Sequence, residues 1–197
     1  MNNYALIVKS ILMADDVEKS IINRLDVLLK IIPEIKDMIG FEHNHPHHHL
    51  DVFEHTLLAL SRAPQDFEIR LVLLLHDIGK PHSYQDEEVR HFRNHPLVSS
   101  EMARKILKRL EFDGDEIEEM CTLIKEHDSY ISEQEIRGNR YMAQKKFQIQ
   151  YCDGLAHHPE KLEKRATYLM DLNKRLHTGE KLARYNSILS KFIKDKR

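Results

Sequence analysis

Apolar residues recur along this chain at three- and four-residue intervals, and convincing strand-like alternation is absent. Leu25, Leu28, Leu29 and Ile32 cluster just before Pro33, so the first 40 residues read as one or two helices. A polar, histidine-rich stretch follows (HNHPHHHLD, 43–51). It ends at Asp51, a good N-cap for a helix carrying Phe53, Leu57 and Leu60 at i, i+4 and i+7. The segment from Phe67 to Ile78, FEIRLVLLLHDI, is apolar nearly all round and predicts a central, buried element. Periodicity alone would allow a buried strand there. The leucine-rich, β-branch-poor composition and the Gly79…Pro81 stop favour a helix.

Residues 82–93 read as a polar loop. Pro96 then stands where a first helical residue belongs, which makes His95 the expected N-cap. Val98, Met102, Ile106 and Leu110 line that helix, and another runs from about Asp115 to His127 with Ile117, Met120 and Ile124 inward. A longer helix, with Phe147, Tyr151 and Leu155 on one side, carries Asp153; two basic amphipathic helices broken near Gly179 complete the chain. The pattern predicts an all-α protein. An N-terminal helical segment (1–40) would pack on a core (41–158), with basic C-terminal helices (159–197) added as a lid or appendage.

Composition agrees with one compact domain: of 197 residues, 41% are hydrophobic and 31% charged, enough to bury a real core. No apolar stretch approaches bilayer length and the N-terminus lacks signal-peptide features, so a cytoplasmic protein with no membrane partner is expected. Cys121 and Cys152 have no metal-site spacing and read as reduced, half-buried helix residues. The net charge of −2 hides an asymmetry. From Lys164 to Arg197, ten Lys/Arg face only Asp171, Glu180 and Asp195. Such an end suits a phosphate-bearing partner, RNA included, although a solvated helical face would look the same.

The unusual abundance is histidine, 14 in all. His76 and Asp77 follow LVLLL and so enter from the most buried helix, where an ionised carboxylate is costly unless a cation or hydrogen bonds compensate it. A backbone-bonded His–Asp pair at a helix end is the plainer alternative. His55 in DVFEHT and Asp153 in YCDGLAHH weaken that alternative. Two imidazoles and two carboxylates make a mixed nitrogen and oxygen set suited to iron, manganese, cobalt, nickel or zinc. His127–Asp128 is a second His-Asp pair, but it lacks the preceding buried run and the following Ile-Gly-Lys, so it is not taken as the ligand dyad. His43, His45, His47, His48 and His49 form an internal tract that could deliver metal or, more simply, loop over a pocket. His157, one turn after Asp153, reads equally as a surface residue or as support for the site.

In order along residues 48–158, DVFEHT, LVLLLHDIGKP, HFRNHP, LIKEHD and YCDGLAH resemble the HD superfamily of metal-dependent phosphohydrolases, especially the HD domain of bacterial CCA-adding tRNA nucleotidyltransferases and their stand-alone relatives. The resemblance implies an HD-type helical bundle. His55, His76, Asp77 and Asp153 would be the core metal ligands, and Lys80 would meet a substrate phosphate. His95 and His127 would bind a second metal or the phosphate. It implies one or two divalent ions (manganese, iron, nickel, cobalt, magnesium or zinc). The substrate would be a phosphomonoester or phosphodiester of a nucleotide, cyclic nucleotide or RNA end. Residues 1–40 are too short for a nucleotidyltransferase head and no paired-carboxylate polymerase motif appears, so nucleotide addition is not expected of this chain. A metal-stabilised HD module that binds nucleotide or RNA without turnover is the rival expectation, and metal storage through the 43–49 tract a further one.

Overall fold

The computed structural model describes residues 1–42, 50–85 and 90–193; the 43–49 histidine tract lies outside the described residues. Eleven α-helices follow one another among them: α1 Asn3–Leu12, α2 Val17–Asn23, α3 Leu25–Ile31, α4 Val52–Ser61, α5 Phe67–Leu75, α6 His95–Arg109, α7 Gly114–Lys125, α8 Glu133–Gly138, α9 Arg140–Leu155, α10 Pro159–Leu176 and α11 Gly179–Leu189. Extended pairing is limited there to two isolated bridges, Glu42 with Asp51 and Gln85 with His91. The protein is all-α. No helix among the described residues is long and apolar enough to cross a membrane.

Helix α5 forms the axis of the bundle, packed by α1, α4, α7 and α9. Asp66 caps it by accepting from the Ile69 N–H (3.1 Å), and every residue from Ile69 to Leu75 is buried. One of them is Arg70, whose guanidinium donates to the carbonyls of Leu12 and Ala14 just past the end of α1. There a cation satisfies carbonyls that the helix leaves open, which is why a charge is tolerated in the core. Asp51 caps α4 in a full capping box with Glu54, and its second oxygen accepts from the Gly40 N–H (2.7 Å), tying the N-terminal segment to α4.

Several local expectations need correction. The N-terminal segment forms three helices and a 3-10 turn (Pro33–Met38), because the chain breaks at Arg24 between α2 and α3. His95 is the first residue of α6 and Asn94 its N-cap; Pro96 stands at the second position, where its missing N–H is equally harmless. Cys121 and Cys152 are not half-buried but almost wholly enclosed, each 1% exposed, and both are free thiols. Burial pushes Cys152 up to about 12, so it packs as a small apolar residue.

After Leu75 the backbone leaves the helix at His76 and re-enters a 3-10 turn at Lys80–His82. Gly79 allows the turn to lie against α6, its N–H donating to Ser99 Oγ (2.9 Å). A Cβ at Gly79 would stand 2.5 Å from the Ser99 backbone nitrogen and 2.9 Å from the Val98 carbonyl carbon. Gly79→Ala is therefore expected to lower stability by about 1–3 kcal/mol as the turn is pushed off α6. Urea unfolding measures this, and a variant as stable as the parent would contradict the close approach.

Candidate metal centre

Six elements or their ends deliver the predicted residues to one place. His55 comes from the first turns of α4, His76 and Asp77 from the end of α5, Asp153 from the last turn of α9, and Lys80 from the 3-10 turn. His95 opens α6, and His127 follows α7. All seven are buried.

The histidine tautomers follow from the backbone around them. Nδ1 of His76 lies 2.7 Å from the Leu73 carbonyl, Nδ1 of His95 2.6 Å from Phe92, and Nδ1 of His127 2.7 Å from Ile124, each three residues back. Nδ1 of His55 approaches the Ala156 carbonyl (3.3 Å) and Nδ1 of His157 the Asp153 carbonyl (2.9 Å). A carbonyl only accepts, so each Nδ1 carries the hydrogen and each Nε2 presents a lone pair, the arrangement that prepares histidine to ligate metal.

Those Nε2 atoms then meet further acceptors. His55 Nε2 is 2.9 Å from Asp153 Oδ1 and 3.7 Å from Asp77 Oδ2, while His76 Nε2 is 3.3 Å from Asp77 Oδ2 and 3.7 Å from Asp153 Oδ1. His95 Nε2 lies 3.1 Å from Asp77 Oδ1 and 3.2 Å from His127 Nε2. Acceptor facing acceptor is repulsive unless a proton or a cation lies between. Donors about 2.1 Å from a shared ion stand about 3–3.5 Å apart, so the set also has the right scale. Two buried atoms at its centre, His76 Nε2 and Asp77 Oδ1, have no hydrogen-bond partner. The residues therefore fit a divalent cation. Overlapping groups that could hold an ion are His55–His76–Asp77, His55–Asp153–His157 and Asp77–His95–His127, with Asp77 common to two of them.

Charge supports the same arrangement. Burial opposes ionisation of Asp77 and Asp153, but His76 and Lys80 beside the first, and His157, His55 and Arg165 beside the second, hold both well below the usual carboxylate range. Burial also opposes protonation of His76, yet the two carboxylates outweigh it and raise His76 to about 9. Without an ion, a proton takes its place. Lys80 Nζ lies 2.7 Å from Asp77 Oδ2, so its charge is directed at a candidate ligand as well as at the adjoining space.

A cavity of about 250 Å³ adjoins these atoms, with Lys80, Arg90, Arg93 and Lys161 among its walls. Of the two roles open to His157, the inward one holds, while Asp128 and Arg165 were not expected at the centre. His157 is inside, 8% exposed and 5.1 Å ring to ring from His55. Asp128, set aside with the second His-Asp pair, has Oδ2 3.6 Å from Nε2 of both His95 and His127. Arg165 of α10 reaches Asp153 Oδ2 at 3.3 Å and Asp128 Oδ1 at 3.6 Å. Gly154 makes room for it, since a Cβ there would lie 3.2 Å from Arg165 Cγ. Lys161, Arg165 and Tyr168 fall at i, i+4 and i+7 on α10, a spacing that could have marked them as one face.

Residues 47–176, well over half of the chain, match the HD domain family, and the chain belongs to it. Among curated proteins it is 32% identical over 126 residues to an A-adding tRNA nucleotidyltransferase of Deinococcus radiodurans, covering 60% of this chain and 29% of the relative. It is 34% identical over 124 residues to a CC-adding tRNA nucleotidyltransferase of Thermus thermophilus, covering 58% and 28%. A multifunctional CCA protein of Alcanivorax borkumensis is 29% identical over 110 residues, covering 54% and 26%. The chain thus spans under a third of the length of these relatives.

Burial holds His127 down at about 4 and His157 at about 3, and, away from the centre, His177 at about 4. In the unfolded chain the same residues take up protons near pH 6.5. Between about pH 6.5 and 4 the unfolded state therefore binds more protons, and stability falls as pH falls. His76, raised to about 9 in the folded chain, is protonated in both states through the lower part of that window and only near pH 6.5 adds a smaller slope of the opposite sign. Urea midpoints of metal-free protein should drop from pH 6.5 to 4, and less steeply in His157→Gln; equal slopes would contradict a neutral, buried His157.

Proposed function

We propose that this protein is a metal-dependent phosphohydrolase acting on a phosphomonoester or phosphodiester of a nucleotide, cyclic nucleotide or RNA end. The observation that carries this reading is the convergence of the His55, His76 and His95 Nε2 atoms on the Asp77 and Asp153 carboxylates beside a cavity walled by Lys80, Arg90, Arg93 and Lys161. His55, His76, Asp77 and Asp153 would hold one divalent ion, of manganese, iron, nickel, cobalt, magnesium or zinc. His95 and His127 would hold a second ion with Asp77, or grip the phosphate directly. Such an ion supplies Lewis acidity, polarising a phosphoryl oxygen and acidifying water.

The remaining work falls to the side chains. Lys80, Arg90, Arg93 and Lys161 around one cavity favour a dianionic phosphate at its mouth and offset charge that builds on phosphoryl oxygens during transfer. Lys80 and Arg165 each contact a carboxylate, Asp77 and Asp153, and so hold those oxygens in orientation. Asp77, with one oxygen toward Lys80 and the other toward His95, is suited to orient an attacking water. Asp128, with its carboxyl held below the usual range beside His127 and Arg165, adds a carboxylate at the edge of the cavity near His95.

The rival reading is an HD module that binds nucleotide or RNA without turnover. The relatives named for tRNA and the Lys- and Arg-rich residues 164–197 favour it. A hydrolysis screen over nucleotides, 2′,3′-cyclic nucleotides and bis(p-nitrophenyl) phosphate, with each metal added in turn, separates the two. Turnover of at least one ester is expected, falling about a hundredfold or more in Asp77→Asn and about tenfold or more in Lys80→Ala. Tight metal binding with no turnover of any ester would favour the binding module instead.

A further inference from the structure

A second cavity, of about 410 Å³, lies beside the first and shares Asp128 and Lys161 with it as walls. Its character is different. Tyr130 and Tyr168 stand with ring centroids 5.6 Å apart, tilted by 41°. Tyr168 is fixed through its hydroxyl, which accepts from the Ile131 N–H (3.2 Å) and donates to Gln150 Oε1 (3.3 Å). Gln150, buried itself, donates from Nε2 to the Ser129 carbonyl (2.7 Å). Tyr130, by contrast, leaves 64% of its surface in solvent, a large exposed ring at the rim. Lys161, Lys164 and Arg165 bring positive charge to the same walls.

This combination has a chemical meaning. Two tyrosines, one rigidly held and one open, offer π-faces to a planar ring, and the surrounding cations suit a ligand that is anionic as well as flat. Ordinary sugar phosphates or phosphorylated side chains would leave the aromatic walls uncovered. A nucleotide would not. Lys161 borders both spaces, and Arg165 extends from the tyrosine cavity to Asp153 of the metal centre, so one ligand can lie across the two.

We propose that the second cavity is a nucleobase subsite, in which Tyr130 and Tyr168 receive the base of a ligand whose phosphate occupies the metal cavity, with Lys161 at the junction. This rests on the reading that the metal cavity takes phosphate, but not on hydrolysis. The base is that of a free nucleotide or of an RNA terminus; the ring and its neighbouring phosphate are common to both.

The test is equilibrium binding by calorimetry to the whole 197-residue chain as purified. The probes are phosphonate analogues of AMP and of ribose 5-phosphate, which resist hydrolysis and make the result independent of turnover. The AMP analogue should bind about tenfold or more tightly than the sugar analogue, the scale of one base–aromatic stack. In Tyr130→Ala that ratio should fall toward one. Tyr141→Ala, which removes a similarly exposed tyrosine outside this cavity, should leave it at the parent value. Competition by a short RNA ending in adenosine distinguishes the sources, since an RNA end would displace the AMP analogue more effectively than AMP itself does. Equal affinities for the two analogues in the parent, absence of AMP-analogue binding, or a ratio untouched by Tyr130→Ala would each overturn the subsite. A protein that shows the ratio yet cleaves no ester would lose the hydrolase reading and keep this one.

Discussion

Two fully buried carboxylates, Asp77 and Asp153, set the terms for the rest of the structure. Such groups are expensive to remove from water unless cations or donors surround them. Around these two the fold assembles the side chains of five elements: His55 from α4, His76 from the end of α5, Lys80 from the following turn, His95 from α6 and Arg165 from α10. The histidines are not simple donors to the carboxylates. Their Nδ1 atoms are already engaged by backbone carbonyls, so their lone pairs turn inward, and the cluster has more acceptors than hydrogens to share. A divalent cation resolves that imbalance; in its absence a proton on His76 does so in part. The leucine-rich α5 makes this possible by carrying His76 and Asp77 into the interior while Arg70 on the same helix closes carbonyls at the far side.

Much of this was legible from local sequence. The apolar run before His76 marks a buried helix, Asp51 marks an N-cap, and the Gly79…Pro81 stop marks the exit from the buried helix, each because it depends on neighbours a few residues away. Features that depend on distant contacts were not legible. Asp128 was set aside because its own flanks are unremarkable, yet the fold brings it beside His95. Arg165 sits in a stretch that reads as an ordinary basic helix; only the packing of α10 on α9, eased by Gly154, aims it at Asp153. The His95 cap was misplaced by one residue because proline suits either of the first two helical positions.

The relatives share the HD portion and are mostly composed of something else, so the likeness bears on this helical core alone. Within that core α10 has a double part. It covers the candidate metal centre with Arg165 and, one turn further, presents Tyr168 to the neighbouring cavity. Its charge is thus not uniformly solvated: Lys164 and Arg165, from the start of the basic C-terminal stretch, line the second cavity, and Arg165 reaches Asp153.

The property that decides the chemistry of the centre is whether its inward-facing nitrogens and carboxylates hold an ion. Metal content of the purified protein after gel filtration, measured by mass spectrometry for the parent and for Asp77→Asn, addresses this most directly. One or two equivalents of a transition metal per chain in the parent, with a large loss in the variant, is the predicted result. A parent protein that carries no metal and takes up none from micromolar manganese, iron, nickel, cobalt or zinc or from millimolar magnesium would contradict it, and the cluster would then be a proton-sharing network with no catalytic ion.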